Sequence, residues 1–322
     1  MMRRFVPVLA LALALLSTPV PAQEFPNRAV RIVVPWPPSG NVDITARTIA
    51  PALGEALGQQ VIVENRAGAG GTIGSTAVVK SPADGYTLLL GSSGTVTVAP
   101  AVFKTIAYDP LKDLTTIGAI QFVPLVLTAA TKTPVATFAE FVAYSRTKPG
   151  QVSIASAGNG SSNHLAIELL MRQAKLQLVH VPYKGSGPAI TDLLGSQVET
   201  MMDQLNASIG HIRDGRMKAL AVTSRTRSPS LPNVPTLDEL GLAGYEASTF
   251  TGLFGPAGIP PAVAEKLYGA LRRALANDAV RERFRSMGVD IAELSQAEFA
   301  AYVRTDFEKW RTVARDANIV VE

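Results

Sequence analysis

An α/β fold follows from two features of this sequence. Short apolar runs alternate with segments of helical period, and the early runs each end in a loop of small polar residues. Such alternation builds largely parallel sheets, whose ligands sit beyond the C-terminal ends of the strands.

The first run, residues 30–34, reads as a buried strand. Pro35, Pro37 and Pro38 then stiffen the turn by fixing φ, and Gly40 relaxes it. A helix is expected over 42–57, with Asp43 in its first turn, where a carboxylate suits the helix dipole. Strands follow at 60–63, 87–90, 123–127, 152–155, 178–181, 198–202 and 219–222, separated by helices near 72–80, 137–147, 163–173, 187–194 and 206–214. Past residue 253 only helical pattern is visible. Val263, Leu267, Leu271 and Leu275 recur every four residues over 261–276, and 297–314 gives a last helix. These are expected to pack across a finished sheet.

The chain begins with Arg3, Arg4, an apolar stretch to residue 16 and the small-residue end Val20-Pro21-Ala22. This is a secretory signal layout with cleavage expected after Ala22. The apolar stretch is short for a membrane span, and no later one is long enough. The remainder is large enough for two lobes. The net charge of +4, which includes the two leader arginines, and the lack of a basic block argue against nucleic acid as a partner. Cysteine is absent, which excludes a thiol nucleophile, an iron–sulfur cluster and a Cys zinc site.

Loops after the early strands carry the functional signal. Ser39-Gly40, the run 65–71, Gly91 to Thr95 and Ser156 to Asn163 offer many backbone N–H groups and hydroxyls but few charges. Together they suit a polar or anionic small molecule held by neutral donors. Gly68-Ala69-Gly70-Gly71-Thr72-Ile73-Gly74 misses the dinucleotide fingerprint, because Ile73 stands where glycine is needed. A phosphate P-loop is absent as well. The three histidines, His164, His180 and His211, lack metal-ligand spacing. Ser162, His164 and Asp203 could be drawn as a triad, but Ser162 and His164 are two residues apart on a helix start and no nucleophile elbow exists. His164 fits a helix-start role or a bond near a ligand, with Asn163 or Ser162 as the cap. Asp203, at the end of a strand, can face the cleft or cap the next helix.

Several segments also carry a resemblance in their joint order: VVPWPPSGNVDITAR, VIVENRAGAGGTIG, GNGSSNHLAIELL, VHVPYKGSGPAITDLLGSQVETMMD and GLFGPAGIPPAV. From residue 25 to near its end the chain resembles the Bug-type periplasmic receptors of tripartite tricarboxylate transporters. The resemblance implies a two-lobed venus-flytrap fold of type II, with a two-crossover hinge near 122–125 and 249–255. It implies one lobe from 23–123 plus 250–322 and another from 124–249. It implies a periplasmic, monomeric protein with no catalysis and no cofactor, which passes a small organic carboxylate to membrane permease subunits. A periplasmic sensor input or, further off, a secreted hydrolase are the alternatives.

The ligand contacts carried over are Pro38, Ser39, Gly40, Asp43, Gly70, Gly71, Ser92 and Thr95 from one lobe. Ser156, Asn159, Ser161, His164, Tyr183 and Asp203 come from the other. Two positions depart from the family pattern: Ser39 stands where glycine is usual, and Trp36 where Phe or Tyr is usual. Replacing Ser39 by proline or Asp203 by alanine is expected to weaken binding without lowering the melting temperature of the empty protein.

Overall fold

The computed structural model describes residues 25–316 and 319–321. The expected signal peptide, residues 1–22, lies outside them. The chain opens with β1 (Val30–Val34), α1 (Asn41–Leu57), β2 (Val61–Asn65), α2 (Thr72–Val79) and β3 (Thr87–Ser92). A buried turn over Gly94–Val98 and short helices α3 (Ala99–Val102) and α4 (Pro110–Asp113) lead into the long β4 (Leu114–Ala130). Next come α5 (Phe138–Thr147), β5 (Ser153–Ser156), α6 (Ser162–Ala174), β6 (Val179–Pro182) and α7 (Ser186–Leu194). β7 (Thr200–Gln204), α8 (Leu205–Arg213) and β8 (Met217–Val222) follow. β9 (Ser248–Pro256), α9 (Pro261–Ala276), α10 (Asp278–Ser286), β10 (Asp290–Ile291) and α11 (Gln296–Asp316) end the chain.

These strands form one curled sheet in the order β2-β1-β3-β9-β4-β7-β5-β6, with β8 and β10 also paired to β4. The sheet is mixed, which corrects the largely parallel expectation. β1, β2 and β3 are parallel, as are β5, β6 and β7, but every pairing of β4 and β9 is antiparallel. The reason is β4 itself. At 17 residues it runs through both halves of the molecule. Its first part pairs β9 as far as Pro124↔Ser248, and its second pairs β7 from Leu125↔Gln204. The sequence pattern showed only the middle of β4, because Thr115, Thr116, Gly118 and Gln121 interrupt its apolar run. Gly118 is needed there: a Cβ would come within 3.0 Å of Leu271 and 3.1 Å of Tyr268 on α9. β9 was not expected at all, since its Ser, Thr and Gly residues dilute the strand signal.

Chain passage between the halves is tied at one residue. Thr223, wholly buried, receives the Leu125 N–H on Oγ1 at 2.7 Å and donates that hydroxyl to Ala247 O at 2.7 Å. Its own N–H meets Leu125 O at 3.0 Å, and its carbonyl accepts from Ala247 N–H at 3.1 Å. Outgoing and returning segments are thus bonded to the same threonine.

Local chemistry explains the helices around the cleft. α1 buries Val42, Ala46, Ile49, Leu53 and Leu57 on one stripe and stops at Gly58, whose φ of 69° suits a residue without Cβ. Each such Leu or Ile adds about 1.5–3 kcal/mol by leaving water. α11 bridges two cores. Phe299 and Val303 pack with Phe250 and Phe254, while Trp310 and Ala314 pack with Val98, Phe141, Leu165 and Leu170.

Candidate functional site

Strand ends and helix starts converge between the two halves. The cleft there encloses about 430 Å³ of space between atoms, including its opening to solvent. α1, α6 and α7 all present their first turns to it through Gly40 and Asn41, Ser161 and Ser162, and Gly185 and Ser186. A helix start carries unpaired N–H groups and the positive end of the helix dipole. Gly40 and Gly185 provide no side-chain cap, so their helices leave those N–H groups free of a local acceptor. Ser161 does cap α6, by accepting from His164 N–H at 3.2 Å. The cap is therefore one residue earlier than Ser162 and two earlier than Asn163, the candidates read from the sequence.

Three side-chain groups on the cleft wall are buried and meet no acceptor in the protein: Trp36 Nε1, Asn41 Nδ2 and Ser162 Oγ. No residue lining the cleft, among those described, carries a charge. Convergent helix starts and neutral donors make a seat for an anionic oxygen. No acid lines the cleft itself, and the carboxylate of Asp203 is bonded to Ser186 and Asn163 behind the wall.

The expected contacts do not all reach the cleft. Gly40, Ser92 and Ser161 line the cleft. Gly71 and Thr95 pack beside Trp36 instead. A Cβ on Gly71 would come within 3.4 Å of the Trp36 ring and would clash with the Thr95 methyl, so glycine lets that ring close in. The Thr95 hydroxyl is turned to Ser92 N–H at 3.1 Å. Gly70 faces the Asn159 carbonyl, where a Cβ would lie 3.3 Å away. Asn159 itself is exposed.

Ser156, His164 and Tyr183 bond within the second half, away from the lining. Ser156 Oγ meets His180 Nε2 at 2.7 Å and accepts from Gly158 N–H at 3.0 Å. His164 stacks on His180 with centroids 4.2 Å apart, takes Gly160 N–H on Nδ1 at 3.3 Å, and has Glu168 3.5 Å from Nε2. Burial, with His164 alongside, pushes His180 down to about 4. Tyr183 donates to Asp192 at 2.7 Å, and burial with that acceptor raises its hydroxyl to about 12. His164 thus has neither ring nitrogen on Ser162, and no triad forms.

Pro38, Ser39 and Asp43 line a separate outer groove with Arg47, Asn277 and Arg283. Asp43 accepts from Ser39 N–H at 2.9 Å, from Arg47 Nε at 3.0 Å and from Asn65 Nδ2 at 2.9 Å. Burial pushes this carboxyl up, but those donors outweigh it and hold it below the usual range. Ser39 lies at φ 70°, a left-handed conformation that costs a non-glycine residue about 1–2 kcal/mol. The bond from its amide to Asp43 holds it there. Asp203 is wholly buried and lies behind the cleft wall. It accepts from Ser186 Oγ at 2.6 Å, Asn163 Nδ2 at 3.2 Å and Ser208 Oγ at 3.3 Å. Burial pushes it up to about 6.

Sequence reasoning passed over Asn41, Ser186, Gln204 and Thr249 as cleft residues, and it placed Ser162 and Asn163 in a candidate ligand loop and as cap or triad candidates without nominating them as contacts. Most of them sit at the first or second position of a helix. Asn41 follows Gly40 and Ser186 follows Gly185, each one residue past a glycine at a helix start.

The sequence matches the family described as tripartite tricarboxylate transporter family receptor over residues 45–319. The chain belongs to this receptor family. BugT of Bordetella pertussis is 37% identical over 307 residues, covering 95% of this chain and 94% of that one. A UPF0065 protein from the tcbD-tcbE intergenic region of Pseudomonas sp. strain P51 is 38% identical, covering 96% and 92%. Among solved structures, the periplasmic binding protein BugD has a TM-score of 0.89 at 35% identity, covering 92% of this chain and 100% of that one. A Rhodopseudomonas palustris protein solved with adipate also has 0.89, at 33% identity and 92% and 99% coverage. MatC of the same organism, solved with malate, has 0.86 at 35%, covering 90% and 99%. The two-lobed periplasmic-binding-protein fold is therefore shared. The receptor family and these neighbours are solute-binding proteins rather than enzymes.

Proposed function

We propose that this chain is a periplasmic receptor that closes two lobes on a small organic carboxylate and passes it to the membrane permease subunits of a tripartite tricarboxylate-type transporter. Residues 1–22 direct export and are removed, and the mature protein acts as a monomer. The observation that carries this reading is the cleft: three helix starts and three unpartnered neutral donors meet with no charge on the wall. The malate and adipate of its neighbours are acids of the class such a cleft suits.

Lobe one comprises 23–123 and 250–322, and lobe two 124–249. The exchange of β4 partners at Pro124 and Leu125 supports this division. The last turns of α11 reach across it, since Trp310 shares a core with Phe141 and Leu165. Closure brings Pro37 against Gly185 and Gly40 against Ser186. A solute touching both sides favours the closed state by binding it better than the open one. Ser92 and Gly40 on one side and Ser161, Ser162 and Ser186 on the other supply the contacts. Trp36 covers the seat and offers its indole N–H.

A thermal-shift screen of residues 23–322 tests the reading. The panel is malate, adipate, citrate, glutamate and benzoate. At a hundredfold excess over Kd, a binding acid adds about 2.7 kcal/mol of stability. A rise with at least one acid, recovered unchanged, is expected. No shift with any acid, or consumption of one, contradicts the proposal.

A further inference from the structure

Asn41 is the first residue of α1 and is 4% exposed. Its side chain faces two ways. Oδ1 accepts from Gln121 Nε2 at 2.7 Å and from Asn206 Nδ2 at 2.5 Å. Gln121 lies on the first part of β4, whereas Asn206 lies on α8, in the proposed second lobe, whose Leu205 and Ile209 pack into the core around α1. Nδ2 is buried without a protein acceptor, on the cleft wall.

Amide orientation must be argued, because oxygen and nitrogen look alike in shape. Here the hydroxyl of Thr45 settles it. Thr45 donates its single hydrogen to Asn41 O at 2.8 Å. Its oxygen can then only accept from Gln121, 2.6 Å away, so the Gln121 atom there is Nε2. A donating Gln121 needs an acceptor at Asn41, so Oδ1 points to Gln121 and Nδ2 is the end left without a partner, as are Gln121 Oε1 and Asn206 Oδ1. The same oxygen then receives Asn206 across the lobes. A rotation of the Asn41 amide would put a donor in place of the acceptor that Gln121 Nε2 and Asn206 Nδ2 share.

We propose that Asn41 is a ligand-contacting latch: its Nδ2–H donates to the carboxylate of the solute, while its Oδ1 holds Asn206 of the opposite lobe. This rests on the reading of the cleft as the carboxylate seat. The solute and the closed state then share one side chain. A carboxylate on Nδ2 fixes the amide plane, which fixes Oδ1 under Asn206. Opening the lobes withdraws Asn206 and leaves Oδ1 bonded to Gln121 alone. Asn41 thereby couples occupancy to closure without a charged group.

Two variants separate the two ends of this amide. Asn41→Asp keeps an oxygen under Gln121 and Asn206 but replaces the cleft donor with a second oxygen. Asn206→Ala removes the cross-lobe bond and leaves the cleft donor untouched. Both are titrated by calorimetry with the panel acid that shifts the wild type most. Compactness with and without that acid is followed by small-angle scattering, and melting curves check folding.

Asn41→Asp is expected to bind at least about 30-fold more weakly, the loss for a buried hydrogen bond to a charged group. Asn206→Ala is expected to bind the same acid about 5- to 10-fold more weakly and to compact less on saturation, as for the loss of one neutral bond. Wild-type affinity in Asn41→Asp overturns the donor assignment. Wild-type affinity and compaction in Asn206→Ala overturn the latch, and this variant reports even where Asn41→Asp melts early. If the wild type itself binds no acid, the carboxylate reading fails and the latch with it. If the wild type binds and both variants match it, the latch alone fails.

Discussion

Asp43 and Asp203 stand behind the cleft from opposite lobes, and they hold it by opposite means. Asp43 is ringed by a guanidinium, an amide side chain and a backbone N–H, and its carboxyl sits below the usual range. Asp203 has hydroxyls and an amide but no cation, and burial pushes it up to about 6. Each fixes the wall one step back from the solute. Asp43 shapes the proline loop through Ser39 and Asn65, and Asn65 also donates to Trp36 O at 3.0 Å. Asp203 holds Ser186 and Asn163, which do line the cleft. If the cleft seats an anion as proposed, the difference implies that an acid beside it is tolerated once its lone pairs are consumed by the scaffold. One lobe consumes them with a cation, the other with neutral donors.

The largest effect is expected from Asp203→Ala. It strands buried donors on Ser186, Asn163 and Ser208, at a cost of about 2–4 kcal/mol. This replaces the expectation that the variant would melt like the wild type. Its pH profile carries the sign of the comparison. Between the unfolded value of 3.8 and about 6, the native protein keeps a proton on Asp203 that the unfolded chain has lost. Wild-type stability therefore has a component that falls as pH rises through that window, and Asp203→Ala lacks it. Denaturant melts at pH 4, 5, 6 and 7 measure both. A variant with wild-type stability and an identical pH profile would remove Asp203 from the scaffold.

A smaller effect is expected from Asp43→Ala. Arg47 is about half exposed, so solvent screens that pair, and the loss is about 1 kcal/mol. Ser39, at its positive φ, loses the bond that holds its amide, and the loop carrying Trp36 and Gly40 loosens. Affinity is expected to fall about threefold, as for one weakened neutral contact. The pH sign is reversed: stability from Asp43 is present above 3.8 and is lost as pH falls through its lowered native value. Calorimetry and acid melts check both. An effect equal to that of Asp203→Ala would break the distinction between the two acids.

Much of this was legible in the sequence. The alternation of apolar runs and helical segments predicted α/β, and the small-residue loops do meet at the strand ends. Gly40, Ser92 and Ser161 line the cleft as expected. What escaped was direction. Whether Asp43 or Asp203 faces a solute depends on Arg47 and Asn65, or on Ser186 and Ser208, and periodicity says nothing about such partners. β9 escaped because a strand buried against β3 and β4 can be built from Ser, Thr and Gly. Asn41 escaped because its value lies in Gln121 and Asn206, 80 and 165 positions away.

The central claim is that neutral donors and helix starts select an anionic carboxylate. Its most direct test is paired calorimetry of the mature protein with malate and with malamide, which keeps the shape and removes the charge. Saturable one-to-one binding of malate, or of another panel acid over its amide, with none to the amide, is the predicted result. Equal binding of acid and amide, or binding of neither across the panel, would contradict it.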